Sequence, residues 1–178
     1  MILDNYKKLC QVSYGGDGAQ NTPLKNIIDG SNVAVTEMND QRRVMALLGY
    51  WNFPQTISSN YGAFDVGFDD TPESTSDYIF HGNFYKRNIA SPSEPALTPI
   101  SYSAPTKAIG EIINHIVTYR NETGSNITVR EIAVLSNPTQ VSNGNKYVML
   151  IRKVLDTPIT IAPGESYTFQ YILRFKNA

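Results

Sequence analysis

The residues able to do chemistry are few. One cysteine, Cys10, and two histidines, His81 and His115, are the only thiol and imidazoles in the chain. A Cys/His pair is recognised in space rather than in sequence. However, Cys10 falls on an apolar stripe, as buried inert thiols do, and His115 falls inside a predicted strand. No Gly-x-Ser-x-Gly elbow and no Cys/His cluster of zinc spacing is present. Gly15-Gly16-Asp17-Gly18 lacks the Lys-Ser/Thr pair of a phosphate loop and reads as a turn. Asp65, Asp69, Asp70 and Asp77 could offer oxygens to calcium, but the spacing is not that of an EF-hand and no Glu closes it. Asp and Ser beside Gly67 and Pro72 also build backbone-mimicking turns. Carboxylate pairs for glycoside hydrolysis are defined by separation in space, so a carboxylate-based hydrolase stays open as a third function class. No catalytic residue, cofactor site or metal site is assigned.

One polar pair has a structural role. Glu131 shares an alternating face with Ile127, Val129, Ala133 and Leu135, and Arg152 interrupts the apolar run from Val148 to Leu155. An unpaired carboxylate on an apolar face is costly. Glu131 is therefore expected to be hydrogen-bonded, with Arg152 the candidate donor and loop backbone the alternative.

The elements that must position these groups are mostly strands. Period-two alternation predicts strands at Ile112–Arg120, Ile127–Leu135, Tyr147–Leu155, Ile159–Ala162 and Tyr167–Phe175. Asn121 to Asn126 and Asn143-Gly144-Asn145 read as turns, and Pro163-Gly164 suits the centre of a type II turn. Val33 and Val35 suggest a short strand, and Ile79, Phe84 and Tyr85 another. Gln41–Tyr50 fits a short helix or a buried strand. The segment 90–105 holds Pro92, Pro95, Pro99 and Pro105 and reads as a long loop or edge segment, since proline removes a ladder donor.

Two apolar sets are candidate interfaces. Ile2, Leu3, Tyr6 and Leu9 fall at helical spacing opposite Lys7 and Lys8, a stripe for the chain's own core or a neighbouring subunit. Tyr50, Trp51 and Phe53 form an aromatic cluster that could be core, a carbohydrate-stacking shelf or an interface anchor. The expected architecture is mainly β: a single antiparallel, jelly-roll-like β-sandwich over 26–178, with a short N-terminal helix or arm over 1–25.

Composition narrows the partners. The chain has 178 residues, net charge −1 and only 17% charged residues. Such a charge gives no field for nucleic acid or an anionic bilayer. No stretch reaches the ~20 apolar residues of a membrane span. No signal peptide is read and a lone cysteine offers no intrachain disulfide, so folding in a reducing cytoplasm is expected. The triplets at Asn121 and Asn126 match a glycosylation pattern, for which chance in an Asn/Thr-rich chain suffices.

The ordered set Arg130-Glu131-Ile132-Ala133-Val134, Leu150-Ile151-Arg152-Lys153-Val154-Leu155, Pro163-Gly164-Glu165-Ser166 and Tyr171-Ile172-Leu173-Arg174-Phe175 resembles a pattern in tailed-bacteriophage virion proteins. The resemblance covers about Phe64 to Phe175, with the distinctive motifs after Arg130. Ala133 stands where that pattern has Gly, a departure affecting local packing. The resemblance implies a non-enzymatic subunit of a virion, assembled in the host cytoplasm: a head-decoration or auxiliary protein, a head–tail ring or collar component, or a tail or fibre subunit. It would act as a homo-oligomer that docks to other virion proteins, without a cofactor. A carbohydrate- or receptor-binding β-sandwich module, with a glycan as partner, is the alternative.

Overall fold

The computed structural model describes Ile2, Asp4 and residues 24–25, 31–33, 64–83, 96–103, 112–136 and 148–174. Every element covering two or more of these residues is a strand. In chain order they are β1 (Leu24–Lys25), β2 (Asn32–Val33), β3 (Phe64–Gly67), β4 (Thr98–Ser103), β5 (Ile112–Arg120), β6 (Ile127–Ser136), β7 (Val148–Ile161) and β8 (Ser166–Arg174). All pairings are antiparallel. β1 pairs with β2, and the others form two three-stranded sheets ordered β3-β6-β7 and β4-β5-β8.

Both sheets feed one apolar core. Phe64 and Val66 from β3, Val129, Ile132 and Val134 from β6, and Leu150 and Ile151 from β7 meet Val117 and Tyr119 from β5 and Phe169 from β8. Each such side chain contributes roughly 1.5–3 kcal/mol on leaving water. Rings join the sheets: Phe64 of β3 stacks with Tyr171 of β8 at 6.3 Å. Tyr119 and Phe169 meet edge to face at 6.1 Å. The Tyr119 hydroxyl donates to Asp65 Oδ1 at 3.1 Å, which gives that buried carboxylate a partner.

Two register shifts decide which way β6 and β7 present their side chains. Val129 pairs with Ile159 but Glu131 with Val154, so Leu155, Asp156, Thr157 and Pro158 stand opposite Arg130 alone. This excursion accommodates a proline that an unbroken ladder would reject. The strands expected at Tyr147–Leu155 and Ile159–Ala162 are therefore two halves of one, β7. At the second shift Val134 pairs with Ile151 and Leu135 with Met149, leaving Leu150 bulged, and both Leu150 and Ile151 enter the core. The uniform face expected for Ile127, Val129, Glu131, Ala133 and Leu135 does not survive these shifts. Ile127 and Val129 join the core cluster, but beyond the shift Ile132 and Val134 do, and Glu131 is directed elsewhere.

Other expectations change in detail. Leu24, assigned to the arm 1–25, is core and pairs with Val33. Ile2 forms an isolated antiparallel bridge with Ile151 and is about half exposed. Leu3, Tyr6, Leu9, Cys10, Tyr50, Trp51 and Phe53 lie outside the described residues, as do the Gln41–Tyr50 and Asn143–Asn145 segments. The 90–105 segment contains β4, an edge strand that carries Pro99 and a register shift before Ser101. Phe64–Gly67, read with the loop, is a strand, and Ile79, read as strand, is exposed loop.

One corner ties the sheets' ends together. Asn121 is fully buried and donates to the carbonyls of Ser125 and Ile161, both at 2.8 Å. Its Oδ1 accepts from Thr123 N–H and Oγ1. Its backbone bonds Glu165 and Gly164 across the β7–β8 turn. A glycan on Asn121 would have to displace all of this. The turn is the expected type II, closed by Glu165 N–H to Ala162 O at 3.0 Å, with Gly164 at φ 79°. An L side chain is strained there. Gly164→Ala should cost about 1 kcal/mol in urea unfolding. Gly124→Ala, on the neighbouring loop with nothing within 4 Å of the added methyl, should stay within about 0.5 kcal/mol of wild type.

Candidate functional site

The site is assembled by the loop that leaves β3 at Phe68 and crosses to Asn83. Short-range bonds shape it first. Asp69 accepts from Thr71 N–H at 3.1 Å and from Thr71 Oγ1 at 2.9 Å. Asp77 Oδ2 accepts from Ser74 N–H at 2.9 Å, and Asp77 N–H bonds Ser74 O at 3.1 Å. These are the backbone-mimicking turns expected of Asp and Ser here. The far end is anchored by buried Phe80 and by Asn83, whose side-chain amide pairs with both backbone groups of Leu97.

Arg152 then fastens the loop to the sheet. Nε donates to Glu131 Oε2 at 2.6 Å, Nη1 to Asp77 Oδ2 at 2.7 Å and Nη2 to Thr71 O at 3.0 Å. Asp69 Oδ2 lies 4.0 Å from Nη2. The expected pairing of Glu131 with Arg152 is present, and both side chains are buried, at 4% and 5% exposure. The cross-strand partner of Arg152 is Ala133, a small residue. Gly67 is the partner of Glu131 on the other side. A Cβ at Gly67 would lie 2.6 Å from Glu131 Cγ and 2.7 Å from Cδ. The carboxylate can lie flat across β3 only because residue 67 has no side chain.

Further links reinforce the clamp. Glu73 Oε1 accepts the N–H of Val154 at 2.8 Å, at the point where β7 leaves its ladder. Lys153 lies 3.6 Å from Glu73 and 3.2 Å from Asp156. Arg130 reaches Asp70 at 3.2 Å on the surface, and Asp4 N–H bonds Thr75 O at 2.9 Å.

The electrostatics separate these groups. Burial pushes the Glu131 carboxyl up, and the bond from Arg152 only partly offsets it, with Asp69 adding repulsion. Burial opposes the Arg152 charge too, but the bonds to Glu131 and Asp77 outweigh it and hold the guanidinium above its usual range. The partners differ because Arg152 faces two strong acceptors, whereas Glu131 faces one cation and a nearby carboxylate. Burial raises Asp69 and Glu73, yet both carboxyls sit below their ordinary values. Thr71 outweighs burial for Asp69. For Glu73 the Val154 N–H and then the positive charge of the chain's amino terminus do so, with Lys153 adding least.

Beside the clamp opens a cleft of about 500 Å³. Glu131 and Arg152 contribute to its lining, and the loop supplies Asp69, Thr71, Ser76, Asp77, Tyr78, Ile79 and His81. Sequence reasoning placed Asp69 and Asp77 in turns and named His81 only as a lone imidazole. It missed Tyr78, Ile79 and the role of Gly67, since cross-strand register alone reveals what a glycine makes room for. His115 lies on β5, as expected. Among the described residues no His/Cys/Asp/Glu group is arranged to hold a metal ion, and no helix is long and apolar enough to cross a membrane. No family model matches the chain, and no curated protein or solved structure matches it significantly.

Removing one partner of a buried pair strands the other, so Arg152→Met should cost about 3–5 kcal/mol in urea unfolding. Gly67→Ala should also destabilise, and most of that loss should vanish in a Glu131→Ala background, where the added methyl has nothing to strike. Glu73 gives a pH signature. Its lowered carboxyl contributes stability above its unfolded value, lost as pH falls through the folded one. Glu131, raised, acts in the opposite sense, because its ionisation weighs against the fold. Glu73→Gln keeps an acceptor for Val154 but cannot titrate. Its stability should therefore fall less steeply than wild type between about pH 5 and pH 3, measured by thermal melting.

Proposed function

We propose that this chain is a non-enzymatic structural subunit of a tailed-bacteriophage virion. In this reading the two sheets are the layers of a jelly-roll-like β-sandwich. The subunit assembles in the host cytoplasm and works by oligomerising and by docking to neighbouring head, collar or tail proteins. The motif resemblance after Arg130 supplies the class of particle.

The observation that carries the self-association is the contrast among the sheet edges. Exposed edges invite pairing and are normally blunted by shortness, proline, lysine or bulges. β3 has only four residues. β4 carries Pro99 and a register shift. β7 carries Lys153 and the Leu155–Pro158 excursion, and Ile2 bridges it at Ile151. β8 has none of these devices. Its nine residues contain no proline or lysine and pair with β5 without a break, and among the described residues no other strand pairs with it. Tyr167 and Ile172 are exposed on it. Two such strands meeting antiparallel would bring aromatic and β-branched residues such as Phe169, Tyr171, Thr168 and Ile172 opposite one another, pairs that favour sheet pairing. Such isologous contact is the commonest symmetry of homo-oligomers.

Thr168→Lys/Ile172→Lys places charges on the exposed face of β8. The wild-type chain should run as a dimer or larger species by size-exclusion chromatography with light scattering, and the double variant as a monomer with an unchanged far-UV circular dichroism spectrum. Mass spectrometry of purified virions should find the chain among their proteins. A wild-type chain that stays monomeric, or that is missing from virions, would overturn this assignment.

A further inference from the structure

The cleft beside Arg152 lies on the β3-β6-β7 side and has no part in pairing through β8. We infer that it is a docking socket for a basic side chain, ammonium or guanidinium, carried by a peptide segment of a neighbouring protein.

Charge selects the ligand class. Among the described residues of the lining, three carboxylates, Asp69, Asp77 and Glu131, stand beside one guanidinium, Arg152, and one imidazole, His81. Three of the five N–H donors of Arg152, one each on Nε, Nη1 and Nη2, are already committed to acceptors. Arg130 and Lys153 are also engaged, the first with Asp70 and the second with Glu73 and Asp156. The negative surplus is therefore directed to whatever enters. The acceptors are on hand: the Asp69 side chain is 62% exposed, and among the described residues nothing donates to Asp77 Oδ1.

The apolar part of the lining fits the rest of such a side chain. Tyr78 and Ile79 are adjacent, both large and both exposed, at 38% and 48%. A Lys or Arg stem lies well along such a surface while its head stays polar, and a cation over a tyrosine ring gains further attraction. A neutral sugar could stack on Tyr78 and donate hydroxyls to the carboxylates, but it brings no charge to balance theirs. The socket is also held in shape before anything binds, because Arg152 fixes Asp77 and Thr71 in the folded chain. Pre-organisation of this kind lowers the cost of binding.

The test is a titration of isotope-labelled protein with an acetylated, amidated tetra-arginine peptide, followed by NMR. Tetra-glutamate and maltose are the comparison probes, and both wild type and the β8 double variant are examined. The expected result is saturable shifts confined to residues 69–81 and Arg152, with affinity falling several-fold as salt is raised and screening grows. Asp69→Asn and Tyr78→Ala should each weaken binding several-fold, while the comparison probes leave the cleft unmoved. Tyr78→Ala decides the matter should Asp69→Asn fail to fold, since Tyr78 takes no part in the clamp. The inference fails if tetra-arginine leaves these resonances in place, if it binds Tyr78→Ala as well as wild type, or if maltose or tetra-glutamate occupies the same residues. Binding that persists in a monomeric β8 variant keeps this result separate from the oligomer assignment.

Discussion

A guanidinium buried between a strand and a loop constrains everything around it. Arg152 has lost nearly all of its access to water, and Glu131 from the adjacent strand with Asp77 and Thr71 from the loop after β3 meet three of its five N–H donors. Each partner brings a requirement of its own. Glu131 needs a residue without a side chain at Gly67, and Asp77 needs the Ser74 turn that presents its carboxylate. A buried ion pair of this type contributes less to net stability than to uniqueness, because its desolvation cost is large and mispairing it is costlier still. Here it fixes the path of a long loop that apolar contacts alone would leave underdetermined.

The strands of the C-terminal half could be read from alternation, and so could the type II turn at Pro163-Gly164, because those signals are local. The Glu131–Arg152 pair was legible for a different reason: a charge in an apolar run requires a partner, and few candidates existed. The cleft was not legible. Its lining combines β6, β7 and a loop fifty or more positions before Glu131, brought together by the register of β3 against β6 and by the bonds of Arg152 to the loop. β3 itself was hidden because four residues containing Asp and Gly do not alternate clearly. The face of β6 was misjudged for the same kind of reason, since shifts in register arise from pairing and leave no mark in either strand's own pattern.

Two corners of the molecule use polar side chains in place of regular structure. At one, buried Asn121 stands in for missing backbone partners and joins the β5–β6 loop to the β7–β8 turn. At the other, Arg152 does the equivalent for the loop from Phe68 to Asn83. Both are buried, and neither can be replaced by an apolar residue without orphaning carbonyls or carboxylates. With these ends secured, the outer strand β8 and the mixed lining of the cleft can be given over to contacts with other molecules.

The excursion at Leu155–Pro158 has a consequence for how this chain can vary in length. The ladder shifts by three residues across it, so pairing resumes out of phase and the inward set of β6 passes from Val129 to Ile132. A change of one residue in its length would alter which side chains of β7 face the core unless the excursion itself absorbed it.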